Sequence, residues 1–328
     1  MRSVNSSEFS KISYLDTTNL AGRIIPLHPC YHENGEWEMW IDHDGKLIPM
    51  RCCGVIDGVY WGKIKAVNSH QNLKFMNVAY KRLSFNELSI VINGIYNDIL
   101  NLSCTFSKYD IYINYDSNRT ALSRIISSEL EFIFSTARSI FDLMQEYIRK
   151  LRERMINCNT NSKLPSIKKS FASIVLCGCR LVTKNEMILK YKIEDGLADC
   201  YAKHAKFFLW VRDIRDKIIH SPKNFDLIFA GEEGFSVLTR NRLFSDIEIW
   251  NEINTLRPNS LGSVKSLTAY IINKLMLMLD DFFSYFESNY QLPPDIAPKH
   301  NLFSCSPHIH HLEKLNSYMT TEAWYSKK

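Results

Sequence analysis

Glycine and proline are scarce, 12 and 10 among 328 residues, which excludes collagen-like, low-complexity and disordered classes. No stretch reaches the ~18 consecutive apolar residues that a membrane-spanning helix needs. The nearest candidate, Ile271 to Phe286, is broken by Asn273, Lys274, Asp280 and Asp281. No apolar run follows Arg2, so no secretory signal is expected. The phosphate-cradling P-loop, the dinucleotide fingerprint, paired CxxC motifs, HExxH and a glycine-flanked nucleophilic serine are all missing, and no cofactor is expected. The nine cysteines are odd in number and lack the spacing of a disulfide framework, which points to reduced thiols in the cytoplasm.

What is present is ordinary globular material, 45% hydrophobic and 23% charged, enough for one domain of moderate size and a smaller companion. The formal charge of +5 is unevenly spread. Residues 1–115 carry 11 basic and 11 acidic side chains, whereas Arg149 to Lys192 alone carry 11 basic against two acidic, Glu153 and Glu186. A local excess of that size attracts a polyanion, and RNA is the expected partner.

Periodicity divides the chain into a mixed α+β N-terminal domain over 1–115, a helical domain over 116–291 and an irregular tail over 292–328. In the first, Trp37 to Met50 reads as a hairpin turning at Asp44-Gly45, and Asp57-Gly58 offers the same turn chemistry between two further extended pieces. Ser84-Phe85-Asn86-Glu87 has the form of a capping box ahead of a helix to about Leu100, and Thr105 to Tyr115 reads as a strand. In the second, Ile126, Leu130, Ile133, Ala137, Ile140, Met144, Tyr147 and Leu151 recur at spacings of four and three, the seam of a helix packed inside a bundle. A short segment follows Pro165, a helix runs from about Asp195 to Ile219, a small hairpin spans 225–239, and a last helix runs from Ser263 to about Tyr290. The fold class expected is mainly α, a helical bundle with a small β-hairpin insertion behind the α+β domain.

Metal ligands are weighed and set aside. His28, Cys30 and His32 alternate ahead of Cys52-Cys53, but adjacent cysteines on a strand point to opposite faces and the set lacks finger spacing. Cys305, His308, His310 and His311 in the tail are no better placed, and no metal site is expected. The remaining constellation is Arg215 and His220, separated by four intervening residues at the end of an amphipathic helix. Arg23 and His28 share that spacing, but Pro26 between them rules out a regular helix. On a straight helix Arg215 and His220 face directions about 140° apart, and a helix that stops near His220 lets the imidazole swing back. A histidine can move a proton near neutral pH, and an arginine can hold a phosphate through two parallel hydrogen bonds. Together they suit RNA cleavage, with the 2′-hydroxyl as nucleophile and no metal. The bland reading of the same residues is surface pairs, Asp213 with Lys217 and Arg212 with Asp216, beside a histidine that bonds a helix carbonyl.

The long helix containing Ser135-Thr136-Ala137-Arg138-Ser139-Ile140-Phe141-Asp142-Leu143, followed by the helix ending Phe207-Phe208-Leu209-Trp210-Val211-Arg212-Asp213-Ile214-Arg215-Asp216-Lys217-Ile218-Ile219-His220, resembles the HEPN superfamily over about residues 117–291. Its R-x4-6-H motif matches Arg215 and His220, with Asp216 at the position after the arginine. The resemblance implies a HEPN-type helical bundle, a homodimer in which two motifs meet in a cleft, and metal-independent endoribonuclease activity of the kind found in toxin–antitoxin and antiviral systems, with an antitoxin or regulatory protein as a further partner. In the branch paired with a nucleotidyltransferase antitoxin the motif continues to a tyrosine; Pro222 stands there, which argues against that partner. Arg138, Asp142 and Glu131 lie at about 40°, 80° and 60° from Phe134 around one helix, a polar stripe suited to line the cleft. Arg212, one turn before Arg215, suits a second phosphate contact. The alternative is a non-catalytic HEPN-like module that binds RNA, nucleotide or protein.

Overall fold

The computed structural model describes residues 4, 6–114, 119–220, 228–244, 247–256 and 259–325. Strands β1 (Cys30–Tyr31), β2 (Trp37–His43), β3 (Lys46–Arg51) and β4 (Gly58–Gly62) precede helices α1 (Lys74–Arg82), α2 (Asn86–Ile113), α3 (Arg119–Arg154) and α4 (Phe171–Val175). A hairpin of β5 (Leu176–Cys177) and β6 (Arg180–Leu181) leads to α5 (Lys184–Tyr191) and α6 (Asp195–His220). Strands β7 (Phe229–Gly231), β8 (Gly234–Leu238), β9 (Thr255–Leu256) and β10 (Leu261–Ser263) then lead to α7 (Val264–Asn289), followed by β11 (Asn301–Cys305) and α8 (Leu315–Met319). Two compact units divide these elements, and each is drawn from three segments: Met1–Tyr96, Glu146–Ser166 and Phe282–His310 form the first, and Asn97–Gln145, Ile167–Asp281 and His311–Lys328 the second.

In the first unit Asp44 and Gly45 both hold positive φ, 50° and 81°, and this turn sets the β2–β3 register from His43↔Lys46 to Glu38↔Arg51. The five-stranded sheet runs β11-β4-β1-β2-β3, with β1 and β4 parallel and the other pairs antiparallel. Tyr60 on β4 stacks on Phe303 of β11 at 5.5 Å, and its hydroxyl accepts from the Ala66 backbone N–H at 2.8 Å and bonds His70 Nδ1 at 2.9 Å. Buried Arg23 gives its guanidinium to the carbonyls of Lys81, Pro294, Leu20 and Asn19. It is a backbone clamp, with each donor answered by an oxygen that burial would otherwise leave unpaired.

In the second unit the α3 seam is buried as its spacing demands, with Ile126, Leu130, Ile133, Ala137, Ile140 and Met144 all inaccessible. Phe141, Phe171 and Phe208 meet at 4.9–5.1 Å between ring centroids. Tyr201 donates to Gln145 Oε1 at 2.7 Å, and Gln145 Nε2 donates to the Lys168 carbonyl at 2.6 Å, so these buried polar groups are satisfied together. A second sheet runs β7-β8-β10-β9, antiparallel throughout, and β5 with β6 makes a third.

These sheets correct the expected fold class. The chain is a mixed α/β architecture with 11 strands in three separate sheets among the described residues, not a mainly α helical bundle with one small hairpin. The strands overlooked are short or distant: β5, β6 and β9 have two residues each, too few to show alternation, and β11 pairs with β4 from the far end of the sequence. Thr105 to Ile113 is helix, not strand. Its β-branched and aromatic residues suggest extension, but Leu102, Phe106 and Tyr109 continue the buried face of α2 at helical spacing, and packing overrides propensity. Asp57-Gly58 forms no hairpin, since β4 pairs with β1 and β11 instead. Among the described residues no helix is long and apolar enough to cross a membrane.

Candidate functional site

Helix α6 carries the predicted motif and is anchored at both ends of its described length. Near its start Lys184 Nζ bonds Asp195 at 2.9 Å and Asp199 at 2.7 Å. Leu197, Tyr201, Ala205, Phe208, Val211 and Ile214 bury its inner face, and Trp210 Nε1 donates to the Leu243 carbonyl at 2.6 Å. The helix is described through His220. The His220 side chain lies outside the described residues, as do Ser221 and Pro222.

Arg215 lies five residues before that end with 40% of its side chain exposed, its Nη1 3.0 Å from Asp216 Oδ1. Asp216 also faces Arg212, whose Nε is 3.6 Å from Oδ2. One carboxylate thus sits between two partly exposed guanidiniums. On α3, Arg138 Nη1 pairs with Asp142 Oδ1 at 2.6 Å, and the Arg138 guanidinium lies 4.7 Å from the centroid of the Phe208 ring. Phe208, Arg212 and Arg215 are spaced by four and three and share one face of α6. Arg138 thus lies against a ring one turn before Arg212 on α6, and Asp142, half exposed, holds it there. The arrangement concentrates three positive charges against two negative ones and can hold a phosphodiester by charge-assisted hydrogen bonds.

The basic run from Arg149 to Lys192 is less of a polyanion surface than its count suggests. Arg149 pairs with Glu146 and Glu153 at 2.8 and 2.7 Å, Arg154 with Glu87, and Arg180 with Glu186 at 2.7 Å. Arg152 is buried, donating to Tyr290 Oη at 3.0 Å and the Pro165 carbonyl at 3.1 Å. Several partners come from outside the run, so a window count cannot register them. The Arg180 guanidinium, with the Thr183 backbone and hydroxyl, holds Glu186 down at about 2.

A second constellation on α6 escaped the sequence reading. His204 is buried, with Nε2 2.7 Å from Asp281 Oδ2 on α7, and Lys203 Nζ reaches the same oxygen at 2.6 Å. Burial pushes the His204 imidazole below its usual range, although the Asp281 hydrogen bond opposes the shift. Lys203, His204, Lys206, Tyr270 and Lys274 line a cavity of about 470 Å³. The faint signal was a lysine-rich stretch on a helix otherwise read for its arginines. Among the described residues no three His, Cys, Asp or Glu side chains converge as a metal would require.

Comparison with known proteins gives no match to a family model, to a curated protein or to a solved structure. The reading of this site rests on its own residues.

Proposed function

We propose that the C-terminal end of α6 is the active site of a metal-independent endoribonuclease. Arg215 holds the scissile phosphate, Arg212 supplies a second contact to the strand, and His220 is the proton-transfer group. The 2′-oxygen attacks phosphorus and loses its proton, the P–O5′ bond breaks, and the departing 5′-oxygen gains a proton. The products are a 2′,3′-cyclic phosphate and a 5′-hydroxyl end. Asp216 orients Arg215, and Arg138, fixed by Asp142 and Phe208, extends the positive face along the RNA. A second copy of the chain completes the cleft in a homodimer, as the motif resemblance implies.

One observation carries this reading: Arg215, within the last two described turns of α6, keeps a partly exposed guanidinium steadied by Asp216. The odd number of cysteines supports a reducing compartment, so the activity is placed in the cytoplasm. A regulatory or antitoxin protein restrains it there, and unrestrained expression slows growth. The proposal concerns the motif and its chemistry, not a helical-bundle architecture.

The test is cleavage of mixed cellular RNA in EDTA by the wild type, Arg215→Ala and His220→Ala at matched circular dichroism. Only the wild type should cut, with at least a ~100-fold loss in each variant and cyclic-phosphate ends on the products. Cleavage unaffected by either substitution overturns the site. RNA retained on a gel without cleavage leaves a binding module instead.

A further inference from the structure

The cavity beside α6 and α7 has a composition of its own. Lys203 is committed to Asp281 at 2.6 Å. Lys206 is exposed and Lys274 half exposed, and both ammonium groups line the cavity without a carboxylate within ion-pairing distance among the described residues. Lys274 Nζ stands 5.4 Å from the centroid of the Tyr270 ring, a partly exposed ring that packs edge-on to Phe207 at 6.2 Å. Leu277 and Ile247 add apolar lining, and Glu248 is the carboxylate among the lining residues. Two cationic donors thus lie next to an aromatic face, in a volume of about 470 Å³ that falls within the ~300–1,000 Å³ typical of small-molecule sites.

We propose that this cavity binds a nucleoside monophosphate. Lys206 and Lys274 take the phosphate, which a compact ammonium suits. The base lies against Tyr270, since every base has a π-face to offer an aromatic ring, and Glu248 accepts a hydrogen bond from the ribose or from an exocyclic amine. Charge selects the number of phosphates. Three lysines against Asp281 and Glu248 leave a single positive charge, closer to what a monoester needs than to what a triphosphate needs. The cavity is distinct from the arginine site: Lys206 and Arg215 are nine residues apart, about 13 Å along the helix and on opposite faces of it. The binding therefore stands whether or not the ribonuclease reading does.

Calorimetric titration of the full chain in 0.1 M salt with AMP, GMP, CMP and UMP tests this, alongside adenosine, inorganic phosphate and ATP. At least one monophosphate should bind in the micromolar range. Loss of its base or its phosphate should weaken binding more than 10-fold, and ATP should bind less tightly than AMP. Lys206→Ala combined with Lys274→Ala should weaken binding more than 10-fold without moving the melting temperature, because neither side chain is buried. Arg215→Ala should leave it unchanged. The proposal is overturned if no monophosphate binds below 1 mM, if phosphate alone binds as well, or if the double variant binds like the wild type.

Discussion

At the scale of single residues, the shape of a donor matters as much as its charge. In the proposed site Arg215 would offer two parallel N–H groups to a phosphate, and Asp216 lies 3.0 Å from its Nη1. Arg215→Lys keeps the charge and loses the fork, so kcat/KM for RNA should fall by at least ~10-fold with no change in melting temperature; a lysine variant with full activity would show that only charge counts. His28 makes a second prediction. Its ring lies 5.1 Å from Tyr80 and 6.2 Å from Trp61, and burial pushes it down to about 4. A folded-state value below the unfolded ~6.5 means that the native protein binds fewer protons in that window. The contribution is intact above about pH 6.5 and drains away as pH falls toward 4, about 3 kcal/mol in all. Urea melts at pH 7 and 4.5 measure it, and His28→Leu should flatten the acid slope; an unchanged slope assigns it elsewhere. The placement of Arg212, Arg215 and Asp216 on one helix was legible because periodicity is local to that helix. The pairing of His204 with Asp281 was not, since 77 residues separate them and neither stands in a recognisable spacing.

At the scale of elements, legibility follows length and burial. The α3 seam was readable because all eight of its positions are completely buried and repeat over many turns. Ile133→Ala should therefore cost ~2–5 kcal/mol, seen as a lower denaturation midpoint at constant m-value. The hairpin of β2 and β3 was readable because a two-residue turn with positive φ dictates its register. By contrast β11 offers five residues in a stretch rich in Pro and His, and nothing local shows that Asn301 to Cys305 pair with Gly62 to Gly58. Removing residues 300–305 exposes the β4 edge and uncovers Tyr60, so the truncated protein should lose cooperative unfolding and turn aggregation-prone. A soluble product with a sharp thermal transition would show that β11 is dispensable.

At the scale of the whole molecule, neither compact unit is continuous in sequence, and this is what patterning along the chain could not convey. Composition shifts after residue 115, yet the first unit also draws on Glu146–Ser166 and Phe282–His310. Separately expressed fragments 1–115 and 116–328 should each lack a cooperative melt, and two independent sharp transitions would contradict the interleaving. The same interleaving governs how the protein comes into being. Trp61 and its partner Leu302 are 241 residues apart, so a ribosome adding about 5–20 residues each second leaves β4 waiting on the order of ten to fifty seconds for its neighbour. During that interval the nascent chain carries an uncapped strand, the state that chaperones shield, and a chain cut short before residue 301 can yield no finished first unit at all.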